Sequence, residues 1–138
     1  MTSSKLLVVG LDGADWSLID NWVDDGILPT IQDIKRNSTW GEMRSSIPPV
    51  TCPAWKCYST GKNPGKLGVY WWETLDIETK SSMIPDATDF ESLEVWDHLN
   101  EAGFSTGVIG MPLTYPPKDV DGYMVAGGPG VGSSGYTH

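Results

Sequence analysis

The chain reads as an α/β protein, layered α/β/α with a mostly parallel sheet. Three observations carry that expectation. The apolar run Leu6-Leu7-Val8-Val9 ends in Gly10-Leu11-Asp12-Gly13, the pattern of a short buried strand stopped by a glycine turn. Helical spacing follows, with Trp16, Ile19, Trp22 and Val23 on one face. Short apolar segments then alternate with helical ones as far as Ala126, the order that builds a parallel sheet covered by helices.

Each element has its own start and stop signals. Lys5 to Gly10 is the first expected strand. Asp15 is a suitable N-cap for the helix through Val23, and Gly26 suits its end. Pro29 is placed to open a second helix at its first position, with Ile31 and Ile34 as the apolar face and Asn37-Ser38 at its close. Thr39 to Arg44 is a second, glycine-interrupted strand. Pro48-Pro49 holds the chain extended, and Pro53 fits only a first helical turn, so a helix begins at Thr51 or Cys52 and runs to Thr60-Gly61. Lys62 to Gly68 is a loop by composition, Val69 to Leu75 a short strand or ordered aromatic segment, and Asp76 to Thr88 a polar connection. Ser92 is expected to cap a helix through Asn100 that ends at Gly103. Phe104 to Gly110 and Gly122 to Ala126 are strands, joined by a proline-rich loop from Pro112 to Asp121. Residues 127–138 form a glycine- and serine-rich, irregular tail.

Composition sets limits. At 138 residues the chain is one domain or part of one, large enough to bury a core. A net charge of −9 argues against nucleic-acid binding through phosphate contacts. An acidic chain handles phosphate esters only with cations that reverse the local sign. The seven tryptophans are expected mostly in core or lid packing. Cys52 and Cys57 are the only cysteines; five helical residues turn about 500°, so the thiols face apart and form neither a redox pair nor a zinc knuckle. Without a leader-like or membrane-spanning segment the expected location is cytoplasmic, with no membrane partner.

Two residues suggest chemistry. Asp12 stands at the carboxyl end of the first expected strand, where ligands gather in such sheets. Thr51 stands at a helix start, where backbone N–H groups and the helix dipole favour an anion. Either alone is ordinary turn or cap chemistry. Together they suggest a hydroxyl nucleophile activated by a carboxylate-held metal. The alternative is a non-catalytic α/β binding or assembly module in which Thr51 is only a helix cap.

Five segments, taken together, resemble one family: Gly10-Leu11-Asp12-Gly13-Ala14, Leu28-Pro29, the stretch from Ile47 through Thr51 to Trp55, Thr60-Gly61-Lys62-Asn63-Pro64-Gly65-Lys66, and Pro112-Leu113-Thr114-Tyr115-Pro116-Pro117. The chain is similar to the type I phosphodiesterase/nucleotide pyrophosphatase family of the alkaline phosphatase superfamily. The resemblance implies an alkaline-phosphatase-like fold and hydrolysis of phosphodiester or nucleotide pyrophosphate bonds in a small substrate. It implies two divalent cations, typically zinc, with Asp12 a metal ligand and Thr51 both ligand and nucleophile. The chain departs from the family at Leu67-Gly68, where His-Gly is frequent, and at Tyr70-Trp71-Trp72, where nucleotide pyrophosphatases carry a phosphate-contacting asparagine. The family's other Asp and His ligands have no counterpart here, His98 and His138 being the only histidines. The expectation is therefore an N-terminal portion of the catalytic domain, incomplete and inactive alone, with most metal ligands in a missing C-terminal part.

Overall fold

In a computed structural model that describes residues 5–129, the chain is an α/β protein whose contacts divide it into two units at Arg44–Ser45. In the first unit, helix α1 (Trp16–Asp24) begins where the Asp15 carboxylate accepts the Ser17 N–H at 2.8 Å. The Ser17 hydroxyl donates to the same oxygen. Helix α2 (Pro29–Asn37) opens with its proline at the first position, as expected. Lys35 ties this unit together. Its ammonium lies 2.6 Å from Asp20 on α1 and over the rings of Trp16 and Trp40, at 4.8 and 4.1 Å. One cation thereby joins both helices to the segment that follows them.

Neither strand expected in this unit forms. Lys5 to Gly10 runs without a ladder, and Leu6 and Leu7 are 85% and 84% exposed. Thr39 to Arg44 is likewise unpaired. An apolar pattern supplies a strand's surface, but pairing supplies its hydrogen bonds, and no described segment pairs with either stretch.

The second unit holds the paired strands. Helix α3 (Thr51–Thr60) ends at Gly61, whose φ of +67° is the left-handed cap that glycine adopts freely. The segment expected as a loop contains a four-residue helix, α4 (Pro64–Leu67), because Asn63 caps it by accepting the Lys66 N–H at 3.0 Å. A two-residue antiparallel hairpin, β1 (Thr74–Leu75) with β2 (Ser82–Met83), and a 3₁₀ turn at Ala87–Asp89 order part of the stretch expected to be irregular.

Helix α5 spans Val95–Glu101, with Glu94 rather than Ser92 at its cap position. The shift has a local cause. The Ser92 hydroxyl accepts from Lys62 Nζ at 2.8 Å, while the Asp97 carboxylate takes the Glu94 N–H at 2.7 Å.

Strands β3 (Thr106–Met111) and β4 (Gly122–Ala126) pair in parallel, Val108 opposite Met124. Gly110, at φ +66°, is the extra residue where the register shifts between Ile109 and Met111. Trp96 of α5 packs with Val108 and Met124 to form one core cluster. Cys52, Val69 and Leu113 form another. Asn100 fastens the start of the pair: its amide donates to Thr106 Oγ1 and the Asp121 carbonyl, and its oxygen accepts the Asp121 N–H. The connection between the strands is the expected proline-rich loop rather than a helix.

Core packing of most tryptophans is not what the structure has. Trp96 is buried, but Trp22, Trp40, Trp71 and Trp72 are 41–57% exposed. Trp40 spends its ring on the Lys35 cation, and Trp71 and Trp72 precede a hairpin too small to cover them. His98 lies on the exposed side of α5. His138 and residues 130–137 of the glycine- and serine-rich tail lie outside the described residues.

Two outcomes follow from these elements. A Cβ on Gly122 would overlap the Thr106 carbonyl oxygen, and φ there is +136°. Gly122→Ala should therefore cost about 1–3 kcal/mol, read as a lower urea midpoint; an unchanged midpoint would refute this account of the strand start. The Ser17 hydroxyl and N–H hold the Asp15 carboxyl below its usual pKa. A depressed carboxylate stabilises above its unfolded pKa of about 3.9 and loses that contribution as pH falls through the lower folded value. The Ser17 amide resonance should titrate with a midpoint below about 3.9, and a midpoint at or above it would contradict the cap.

Candidate functional site: the start of helix α3 and its buried ion network

Thr51 is the first residue of α3 and half-buried. The cap position belongs to Val50, at φ −113° and ψ 145°, whose side chain can accept no hydrogen bond. Thr51 is thus not the helix's N-cap residue. The local sequence explains the geometry. Pro48-Pro49 keeps the approach extended, and Pro53 accepts a first-turn position because no intrahelical bond is asked of its nitrogen there. The first backbone bond of the helix is Ala54 N–H to Val50 O, at 2.9 Å.

Cys52 and Pro53 are buried beside Thr51. Cys52 packs on Val69 and on Leu113, the latter in the loop after β3. Leu113 is fully buried with φ at +60°, an uncommon backbone for a branched side chain. Its loop is held by Thr114, whose hydroxyl donates to Met111 O at 2.6 Å and accepts the Gly127 N–H at 2.9 Å. The carboxyl ends of β3 and β4 are therefore joined through one side chain.

Halfway along α3 lies a feature that sequence reasoning missed. Lys56 and Glu94 are 2% and 4% exposed. Lys56 Nζ donates to Glu94 Oε1 at 3.0 Å and to the Leu113 carbonyl at 3.4 Å, and sits 4.5 Å from the Phe90 ring centre. Ser59 Oγ donates to the same Glu94 oxygen at 2.9 Å. The other oxygen, Oε2, lies 3.0 Å from Lys118 Nζ, which also reaches Asp97 at 2.5 Å. Burying either charge alone would cost several kcal/mol, so full pairing is the condition for both to be there. A signal was present in the sequence: a lysine within Thr51–Thr60, a helix with no other charge. Its partner, 38 residues away, was not readable. A cavity of about 270 Å³ adjoins the network, lined by Lys56, Phe90, Glu94, Thr114, Lys118 and Met124 among others.

Asp12 lies in the first unit, exposed, in a turn with Gly13 at φ +68°. Thr51 lies in the second unit. Thr51 begins a helix, Asp12 lies in a turn ahead of one, and each is described within its own unit. Among the described residues no three His, Cys, Asp or Glu side chains gather into a metal site. The described residues alone therefore do not fit a two-cation centre.

The sequence model of the family described as type I phosphodiesterase / nucleotide pyrophosphatase matches residues 6–136 of this chain. The chain belongs to that family. Among curated proteins and among solved structures, none matches. The type I phosphodiesterase/nucleotide pyrophosphatase family is one of hydrolases, generally metal-dependent, acting on small phosphate esters. The match spans both units, and so includes Asp12 and Thr51. Among the described residues no helix is long and apolar enough to cross a membrane.

Removing one member of the buried network should be costly. Lys56→Met leaves Glu94 with Lys118 and Ser59 but without its buried cation, and should lose about 3 kcal/mol in chemical denaturation. A loss under about 1 kcal/mol, the range of an exposed pair, would show that the pair is not buried in solution.

Proposed function

We propose that the protein hydrolyses phosphodiester or nucleotide pyrophosphate bonds with Thr51 as the nucleophile. The observation that carries this reading is the position of Thr51, first in helix α3 with the cap position taken by Val50. A threonine serving only as the helix cap would occupy the position that valine holds. Membership of the type I phosphodiesterase/nucleotide pyrophosphatase family supports the same choice.

On this reading the Thr51 oxygen bonds to phosphorus as one ester oxygen departs, and the hydroxyl proton ends on the departing alcohol. Water then cleaves the phosphothreonine and restores the hydroxyl. Helix α3 supplies the positive end of its dipole where negative charge develops on the phosphoryl oxygens. Asp12 is assigned as a metal ligand, zinc being the metal we infer. On this reading Asp12 acts together with further ligands from outside residues 5–129. The substrate is small, a phosphate ester or nucleotide, in keeping with the chain's acidity.

The test is hydrolysis of a bis-aryl phosphate by the full-length gene product, with and without zinc. Thr51→Ala should lower turnover by at least about a thousandfold, with no labelled phosphoryl group trapped on the protein. Asp12→Asn should raise the zinc concentration needed for half-maximal rate. Undiminished turnover in Thr51→Ala would reject the nucleophile.

A further inference from the structure

Glu94 receives two donors from one helix on one oxygen. Lys56 and Ser59 are three residues apart on α3 and so lie on the same face. Both reach Glu94 Oε1, at 3.0 and 2.9 Å. A single donor would leave α3 free to pivot about the bond. Two donors converging on one buried atom, with the Leu113 carbonyl as a further acceptor for Lys56, restrain both its rotation about its axis and its slide along it.

The acceptor is itself held from the other side. Glu94 Oε2 pairs with Lys118, Lys118 pairs with Asp97, and Asp97 accepts the Glu94 N–H. Glu94 is therefore a fixed post rather than a long side chain that follows the helix.

We propose that Glu94 is a positioning residue for Thr51: through Lys56 and Ser59 it sets the rotation of α3, and with it the direction of the Thr51 hydroxyl. The inference rests on the reading of Thr51 as nucleophile. Thr51 precedes Lys56 by five residues, about 140° around the helix, so any turn of α3 about its axis is carried to it in full. At a side-chain radius of about 5 Å, a turn of 20° moves the hydroxyl by about 1.7 Å. Misplacements of that order reduce reaction rates by about a hundredfold. An apolar pair of similar volume would fill the same space and leave α3 without that directional restraint, which is why packing alone does not account for four charged groups here.

The experiment separates positioning from stability. In Lys56→Met/Glu94→Leu the buried charges are replaced together, the Ser59 hydroxyl can turn its one proton to the backbone carbonyl of residue 56, 3.2 Å away, and Lys118 keeps Asp97. This variant should melt near the wild-type temperature, yet lose about 10- to 100-fold in kcat on the bis-aryl phosphate with KM within about twofold. Ser59→Ala, which removes one of the two anchor points and no charge, should lose kcat several-fold, again at constant KM. Should the double variant fail to fold, Ser59→Ala decides alone. A kcat within twofold of wild type in the folded variants overturns the proposal. If wild type itself shows no turnover with zinc, the hydrolase reading fails, and amide exchange at Ala54, whose N–H makes the first helix bond, then judges the clamp. At least tenfold faster exchange in the variants retains it, and unchanged exchange overturns it.

Discussion

A lysine ammonium and a glutamate carboxylate, both nearly excluded from water, set the terms for the second unit. Neither Lys56 nor Glu94 can be buried alone, so α3, the start of α5 and the loop after β3 must meet in one arrangement or not at all. That requirement is directional in a way that the contact of Cys52, Val69 and Leu113 is not. Apolar side chains tolerate sliding, whereas an ammonium must find its oxygens. The cluster of Trp96, Val108 and Met124 supplies apolar burial beside the ion pair. The ion network supplies registration.

The same logic appears on a smaller scale in the first unit. Lys35, bound to Asp20 and faced by Trp16 and Trp40, draws two helices and a following segment together with one cation. In both units a lysine brings elements together through its charge. The acidic balance of the chain makes such pairing easy, since carboxylates outnumber cations.

Much of the fold was legible because its signals are local. Asp15, Pro29, Pro53 and Gly61 mark helix ends through the φ values and hydrogen bonds that their own side chains or backbone allow, and the boundaries of α1, α2 and α3 follow from them. The parallel pair was legible from two short apolar segments around a proline-rich loop. Where the reading differed, a distant partner was the reason. Lys5 to Gly10 has a strand's composition and, among the described residues, lacks a paired neighbour. Ser92 is a good cap by type, but Lys62 holds its hydroxyl and the Asp97 carboxylate takes the Glu94 N–H. The tryptophans are hydrophobic enough for a core, yet Trp71 and Trp72, next to the hairpin, are 57% and 41% exposed.

The candidate site divides in the same way. The sequence by itself determined the family, through short segments whose order and spacing are covalent facts. It also singled out Asp12 and Thr51 as candidates and located the start of α3, because proline acts on its immediate neighbours. Tertiary structure alone decided that Val50 holds the cap position, that Glu94 rather than Ser92 begins α5, and that Lys56 is buried against it. Those outcomes depend on which side chains meet across dozens of residues, and a charge enters the interior only where its partner has already been brought.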